Sequence, residues 1–242
     1  MTLLNRYIGG EHKAVWAELL AGVDKDRQPI ADADAEAVAS ETMRRVRANI
    51  ETIAARLSAT GYEFGVYPDG EPIPFSVATL GDTDAADDKT RAFTQLVGAL
   101  PLSLRAFYRH VGGVCLAGRY GDGETWQGAD ALWVEPLDTD YIAEQFADWE
   151  NNVAEYGAEE MGAFMFEFAP DDLHKDNISG GAPYGIELPQ GAADAFVANE
   201  WHGTTFVDYL RICFRWGGFP GFAREGSMPP QIAVLRESLL PI

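Results

Sequence analysis

The fold of this chain is decided by the stretch Leu100–Gly118, which reads LPLSLRAFYRHVGGVCLAG. Pro101 stands at the first turn of a predicted helix, where the missing N–H of proline costs no hydrogen bond. One buried helix face is predicted by the i, i+3, i+4, i+7 spacing of Leu104, Phe107, Tyr108 and Val111. Glycines at 112 and 113 end the helix, and the apolar residues 114–116 predict a short buried strand. The stretch therefore predicts a helix, a tight turn and a core strand, and it contains no residue that requires a catalytic role.

Helical and strand patterns alternate on both sides of this stretch. The helical period and the helix caps predict helices over residues 10–23, 32–60, 88–98, 139–156 and 204–217, and a tail helix from residue 229. Short apolar runs predict strands at 132–135, 163–168, 183–188 and 194–199. We therefore predict an α+β fold with a mixed, mainly antiparallel central sheet flanked by helices. The predicted domains are a helical N-terminal extension with its connection at 1–87 and an α+β core with the tail helix at 88–242.

Composition and charge exclude several classes of protein. The chain has 242 residues and a net charge of −20, so a polyanion such as nucleic acid would be repelled. No apolar run approaches the roughly 20 residues that span a bilayer, and we expect a cytoplasmic protein with no membrane partner. The two cysteines, Cys115 and Cys213, stand in apolar segments and are predicted to be buried free thiols.

The negative charge is concentrated in one part of the chain. Between Arg119 and Lys175 there is no lysine or arginine, whereas fifteen aspartates and glutamates occur, beginning at Asp122 and ending at Asp172. Three arginines at 44, 45 and 47 lie in the middle of the long N-terminal helix. They are predicted either to form salt bridges with this acidic segment or to make a solvated basic face.

The acidic segment is the predicted binding surface for a basic protein. A surface of one charge sign raises the association rate of an oppositely charged partner. Trp201, beside a loop, is predicted to be an exposed aromatic anchor for the same partner. The candidate partner-binding residues are Glu144, Asp148, Glu150, Glu155, Asp171, Asp172 and Trp201. This interpretation assigns no catalytic residue, no metal and no cofactor, and it leaves the oligomeric state open.

Several short motifs together resemble the SUKH superfamily, which includes bacterial immunity proteins against secreted toxins and a fungal regulator of cell-wall synthesis. The motifs are the Leu100-Pro101 helix ending in Gly-Gly, the strand with Trp133, Ala169-Pro170-Asp171, Tyr184-Gly185-Ile186 and the Phe206–Leu210 helix. The resemblance covers roughly residues 88–221. It implies an α+β fold and binding instead of catalysis, because the superfamily has no accepted catalytic residues. The basic partner would then be a toxin domain, as for the immunity proteins of the superfamily, or another cationic protein.

Two alternative functions use other features of the chain. Asp171 with His174 and Glu200 with His202 supply residue types that bind Zn²⁺, which would suit a metal-assisted hydrolase. Their spacing matches no established metal motif. The third interpretation is a regulatory or structural subunit.

Overall fold

A computed structural model describes residues 1–21, 32–73, 79–121, 126–225 and 229–242. The helices are α1 (Leu3–Ile8), α2 (His12–Ala21), α3 (Ala33–Ala59), α4 (Ala86–Val97), α5 (Leu102–His110), α6 (Thr139–Tyr156), α7 (Ala158–Met161), α8 (Asp172–Lys175), α9 (Phe206–Arg215), α10 (Phe222–Glu225) and α11 (Pro230–Leu235). The strands are β1 (Glu63–Phe64), β2 (Val114–Cys115), β3 (Gly118–Arg119), β4 (Trp133–Val134), β5 (Phe164–Ala169) and β6 (Tyr184–Leu188).

The predicted unit at residues 100–118 is confirmed as α5, a glycine turn and β2. Its four predicted face residues are all buried, at Leu104, Phe107, Tyr108 and Val111. Gly112 has a φ of +81°, and a Cβ placed on it would lie 2.6 Å from the backbone oxygen of Asp82. Only glycine fits this left-handed turn, because any side chain would meet the neighbouring backbone.

The α+β class is confirmed, and every strand ladder among the described residues is antiparallel. The strands pair as β1 with β3, β2 with β4 and β5 with β6. A single central sheet was predicted, whereas the described strands form these three separate two-stranded sheets. The first four strands are only two residues long, which leaves few backbone groups to extend a ladder. A single hydrogen bond from the Glu135 amide to the Phe168 carbonyl, at 2.7 Å, connects the end of β4 to β5.

The strand predicted at residues 194–199 is replaced by a loop with two isolated bridges. Ala198 bridges Gly185 of β6, and Phe196 bridges Thr205. The carboxylate of Asp194, in this loop, is buried. It accepts hydrogen bonds from the Ser103 hydroxyl at 2.6 Å and from the Val207 amide at 3.0 Å. Asp194 therefore caps α9, whereas the side chain of Thr205, the residue before the helix, makes no cap hydrogen bond.

The long helix α3 confirms its predicted caps and its predicted buried face. Asp32 accepts a hydrogen bond from the Asp34 amide at 2.9 Å. The predicted apolar positions Val38, Met43, Val46, Ile50, Ile53 and Leu57 are all fully buried. α3 packs against α5 in one continuous hydrophobic core, although the two helices lie on opposite sides of the predicted domain boundary at residue 88. That boundary stays a prediction.

Within the part of the chain that the structure describes, Arg44, Arg45 and Arg47 of α3 form no ion pair with the acidic segment. Arg44 and Arg45 both pair with Glu41, at 3.8 and 2.9 Å, and Arg47 pairs with Glu51 at 2.9 Å. Carboxylates three or four residues away on the same helix lie within reach of these cations and pair with them. Of the two interpretations of this cluster, the one with salt bridges to the acidic segment was therefore wrong for the described residues.

The two ends of the chain differ from the sequence prediction in detail. The first predicted helix, 10–23, is confirmed from His12 to Ala21, and Val23 lies outside the described residues. The shorter α1, which begins at the Thr2 cap, was not predicted. Gly217 and Gly218, at φ +62° and +96°, end α9 as predicted. Both cysteines are buried free thiols, also as predicted.

Candidate functional site

Helix α6 is the element that presents the acidic segment to solvent. Asp138 begins it by accepting hydrogen bonds from the amides of Asp140 and Tyr141, both at 3.1 Å. Phe146 packs edge-on against Phe164 of β5, with ring centroids 5.1 Å apart. Because the apolar side of the amphipathic helix faces β5, its opposite side is exposed.

Three of the four predicted acidic residues on α6 share one exposed face. At about 100° per residue, Glu144, Asp148 and Glu155 lie within roughly 40° of one another around the helix axis, and Tyr141 lies beside them. Glu150 lies roughly 140° away from the centre of this group and points elsewhere. Tyr141 is 57% exposed. The three carboxylates and Tyr141 form what we call the acidic stripe.

The carboxylates of α6 and α7 have no cationic partner among the described residues. No lysine, arginine or histidine nitrogen of the described chain lies within 4.0 Å of Asp140, Glu144, Asp148, Glu150, Glu155, Glu159 or Glu160. Within the described part of the molecule, no contact ion pair therefore neutralises these carboxylates. Asp122 and Glu124, at the predicted start of the acidic segment, lie outside the described residues.

The prediction that Asp171 contacts a partner was wrong, because its carboxylate is buried and bonded within the molecule. Asp171 is 3% exposed. Its Oδ1 accepts a hydrogen bond from the His174 amide at 2.9 Å, and this hydrogen bond caps α8. Its Oδ2 lies 2.7 Å from Nδ1 of His174. A Cβ on Gly181 would lie 2.6 Å from the same carboxylate, so the following loop closes over it. A carboxylate with these partners cannot be offered to another protein.

Asp172 and Trp201 are joined by a residue that the sequence analysis did not single out. Arg224 of α10 forms an ion pair with Asp172, and its guanidinium lies 4.8 Å from the centre of the Trp201 ring. Trp201 is 40% exposed, which agrees with the predicted exposure of an anchor. Asp172 is only 21% exposed at its side chain and is already paired, so its charge is largely neutralised. No local pattern connects residue 224 with 172 and 201, because the three meet only through the fold.

The four residues of the predicted metal site remain two separate pairs. Glu200 Oε1 lies 2.5 Å from Nδ1 of His202, and the Glu200 side chain is fully buried. The His202 ring stacks on Trp201 at a centroid distance of 3.7 Å. Within the described residues, no three His, Cys, Asp or Glu side chains converge in a group that could hold a metal ion. His174 and His202 therefore act, as far as the described residues show, as partners of their own carboxylates.

A buried ion pair joins Lys175, the last residue of α8, to Asp130. Lys175 Nζ lies 2.6 Å from Asp130 Oδ1, and the two side chains are 1% and 0% exposed. The Tyr184 hydroxyl donates a hydrogen bond to the second oxygen of Asp130 at 3.1 Å. Burial raises the pKa of Asp130, and the attraction of Lys175 opposes that rise. Through Asp130, Lys175 therefore connects α8, which also carries Asp172, to Tyr184 of β6.

Comparison with protein-family models, with curated proteins and with solved structures found no match to this chain. Among the described residues, no helix combines the length and the apolar character that a bilayer crossing requires.

Proposed function

We propose that the chain is a cytoplasmic, non-enzymatic binding protein whose acidic stripe on α6 contacts a basic protein. The observation that carries this proposal is the set of exposed carboxylates on α6 and α7 without a cationic partner among the described residues. A charged surface that the molecule does not neutralise itself attracts an oppositely charged partner and speeds its association. Tyr141 in the stripe adds an exposed aromatic side chain of the kind that interfaces favour.

The sequence motifs that resemble the SUKH superfamily support a narrower form of this proposal. In that form the basic partner is a toxin domain, and the chain acts as its immunity protein. A regulatory or structural subunit would use the same stripe with a different basic partner. The metal-assisted hydrolase has no comparable support, because Asp171 with His174 and Glu200 with His202 do not converge.

The proposal is tested with two variants, one that removes negative charges from the acidic stripe and one that removes the same number from exposed carboxylates outside it. The stripe variant is E144Q/D148N/E155Q. The control variant, D84N/E187Q/E237Q, removes the same number of charges from exposed carboxylates that also have no ion pair in the described structure. Each purified protein is used to capture partners from a lysate of the source cells, and the captured proteins are quantified by mass spectrometry.

We expect the wild type and the control variant to capture the same basic proteins and the stripe variant to lose them. With a purified captured partner, the association rate for the stripe variant should fall by about 10-fold at low salt, and the difference should shrink as salt screens the charges. Equal capture by all three proteins would refute the proposal. A captured partner encoded beside the gene for this chain, and toxic without it, would support the immunity role.

The predicted aromatic anchor, Trp201, is tested by a single substitution in the same binding assay. Trp201→Ala removes an exposed ring next to Asp172 and Arg224. If the partner reaches from the stripe to this ring, its dissociation rate rises while its association rate stays unchanged, because the ring carries no charge. An unchanged dissociation rate would confine the interface to α6 and exclude Trp201 from it.

A further inference from the structure

The segment Pro229–Ile242, which we call the strap, lies on the surface of the molecule. Of its fourteen residues, only Ile232, Leu235 and Ile242 are buried. α11 forms its first part, and the residues that follow form neither a helix nor a strand. The strap is therefore held by three apolar anchors and by the hydrogen bonds that other elements make to its backbone.

Asn49 of α3 makes the most specific of these hydrogen bonds. Its Nδ2 donates to the Leu240 carbonyl at 2.9 Å, and its Oδ1 accepts from the Leu240 amide at 2.7 Å. The residue is 1% exposed. A side-chain amide that bonds both backbone groups of one residue does what a neighbouring strand does for an extended chain. A buried amide is costly when it is unsatisfied, so this position is built for an extended backbone.

Three arginines continue the same kind of contact along the strap. Arg45 donates to the Pro241 carbonyl at 3.0 Å, and Arg211 of α9 donates to the Ile242 carbonyl at 2.8 Å. Arg56 donates to three carbonyls near the end of α11, those of residues 234, 235 and 237. All of these contacts go to backbone oxygens, so they do not depend on the side chains of the strap. At this end of the strap Ile242 is the buried side chain, and Leu239 is partly buried against the same core.

We infer that Arg45, Asn49 and Arg211 line a peptide-binding groove that the strap occupies in cis. Its ligand class is an extended peptide with an apolar end of the Leu-Leu-Pro-Ile type. Main-chain hydrogen bonds supply the affinity, and one buried apolar side chain supplies the selectivity. A peptide from outside binds when the strap lifts, so the strap lowers the apparent affinity of the groove for any competitor. This inference does not depend on the acidic stripe.

The groove is tested with the full chain and a labelled, C-terminally amidated peptide of residues 236–242, RESLLPI. Ile242→Asp in the chain places a charge at a buried anchor and loosens the strap without touching the groove. We expect I242D to bind the peptide about 10-fold more tightly than the wild type does, because the competitor in cis is weakened. Adding Asn49→Ala to I242D should remove most of that binding. A peptide that itself carries Ile242→Asp should not bind.

Hydrogen exchange of the unmodified protein gives a second readout. The Leu240 amide, held by Asn49, should exchange faster than the amide of Ile50 in the core of α3, because the strap opens locally. The inference is overturned if Leu240 exchanges only at the rate of Ile50. It is also overturned if folded I242D, checked by circular dichroism, does not bind the peptide. Should I242D fail to fold, the exchange rates in the wild type decide the question.

Discussion

Replacing Lys175 with methionine tests how helix α8, which carries Asp172, is held. Lys175 and Asp130 are almost fully buried and lie 2.6 Å apart, and Lys175 also lies 4.5 Å from the centre of the Tyr184 ring. Methionine keeps much of the side-chain volume but leaves the Asp130 carboxylate buried without its cation. Removing one partner of a buried pair costs about 3–5 kcal/mol, so we expect Lys175→Met to lower the free energy of unfolding by that amount.

The loss should depend on pH in a definite direction. Burial raises the pKa of Asp130, and without Lys175 the main remaining opposition to that rise is the hydrogen bond from the Tyr184 hydroxyl. A carboxyl whose folded pKa lies above its unfolded value stabilises the fold below the unfolded pKa, and that contribution is lost as the pH rises through the folded pKa. The variant should therefore be closest to the wild type near pH 4 and furthest from it at neutral and higher pH.

Urea unfolding followed by tryptophan fluorescence measures this loss at each pH. The double variant Asp130→Asn with Lys175→Met should recover at least half of it, because the asparagine carries no charge and keeps a hydrogen-bonding group for Tyr184. Lys13→Met, at an exposed lysine with no ion pair in the described structure, is the matched control and should change stability by less than about 0.5 kcal/mol. A loss below about 1 kcal/mol for Lys175→Met, or a loss that does not change with pH, would refute the reasoning.

Three further variants test other parts of the structure. Asp194→Ala should cost about 2–4 kcal/mol in urea unfolding, because α9 loses its cap and the Ser103 hydroxyl loses its buried partner; a loss below about 1 kcal/mol would contradict that role. Burial raises the pKa of Asp194 from 3.8 to about 6. The free energy of unfolding of the wild type should therefore fall by up to about 3 kcal/mol as the pH rises from 4 to 6. Asp194→Asn should flatten this part of the plot of stability against pH. Gly112→Ala should lower the thermal midpoint, because its φ of +81° costs about 1–2 kcal/mol for a residue with a Cβ and the added atom meets backbone; an unchanged midpoint would contradict the tight turn.

The local patterns of the sequence were sufficient for the longer helices and for the fold class, but not for the short helices α1, α7, α8 and α10. α5 and its glycine turn, the caps and buried face of α3, and the bounds of α6 all follow from the helical period and from capping residues within a few positions. These signals are local, because a helix bonds residue i to residue i+4 and repeats its faces every 3.6 residues. The acidic stripe also follows from this period once α6 is known to lie against β5.

The pairing of distant side chains was decided only by the tertiary structure. Arg224 meets Asp172 and Trp201, Lys175 meets Asp130, and Asn49 meets Leu240 across 191 residues of chain. No spacing rule relates such positions, since which partner a charge or an amide finds depends on how the elements pack. The same reason explains why Asp171 looked like a surface carboxylate. Local sequence patterns determined where the longer helices form and where charge accumulates, because those signals act within a few residues. The packing of the elements decided which charges stay exposed to meet a partner.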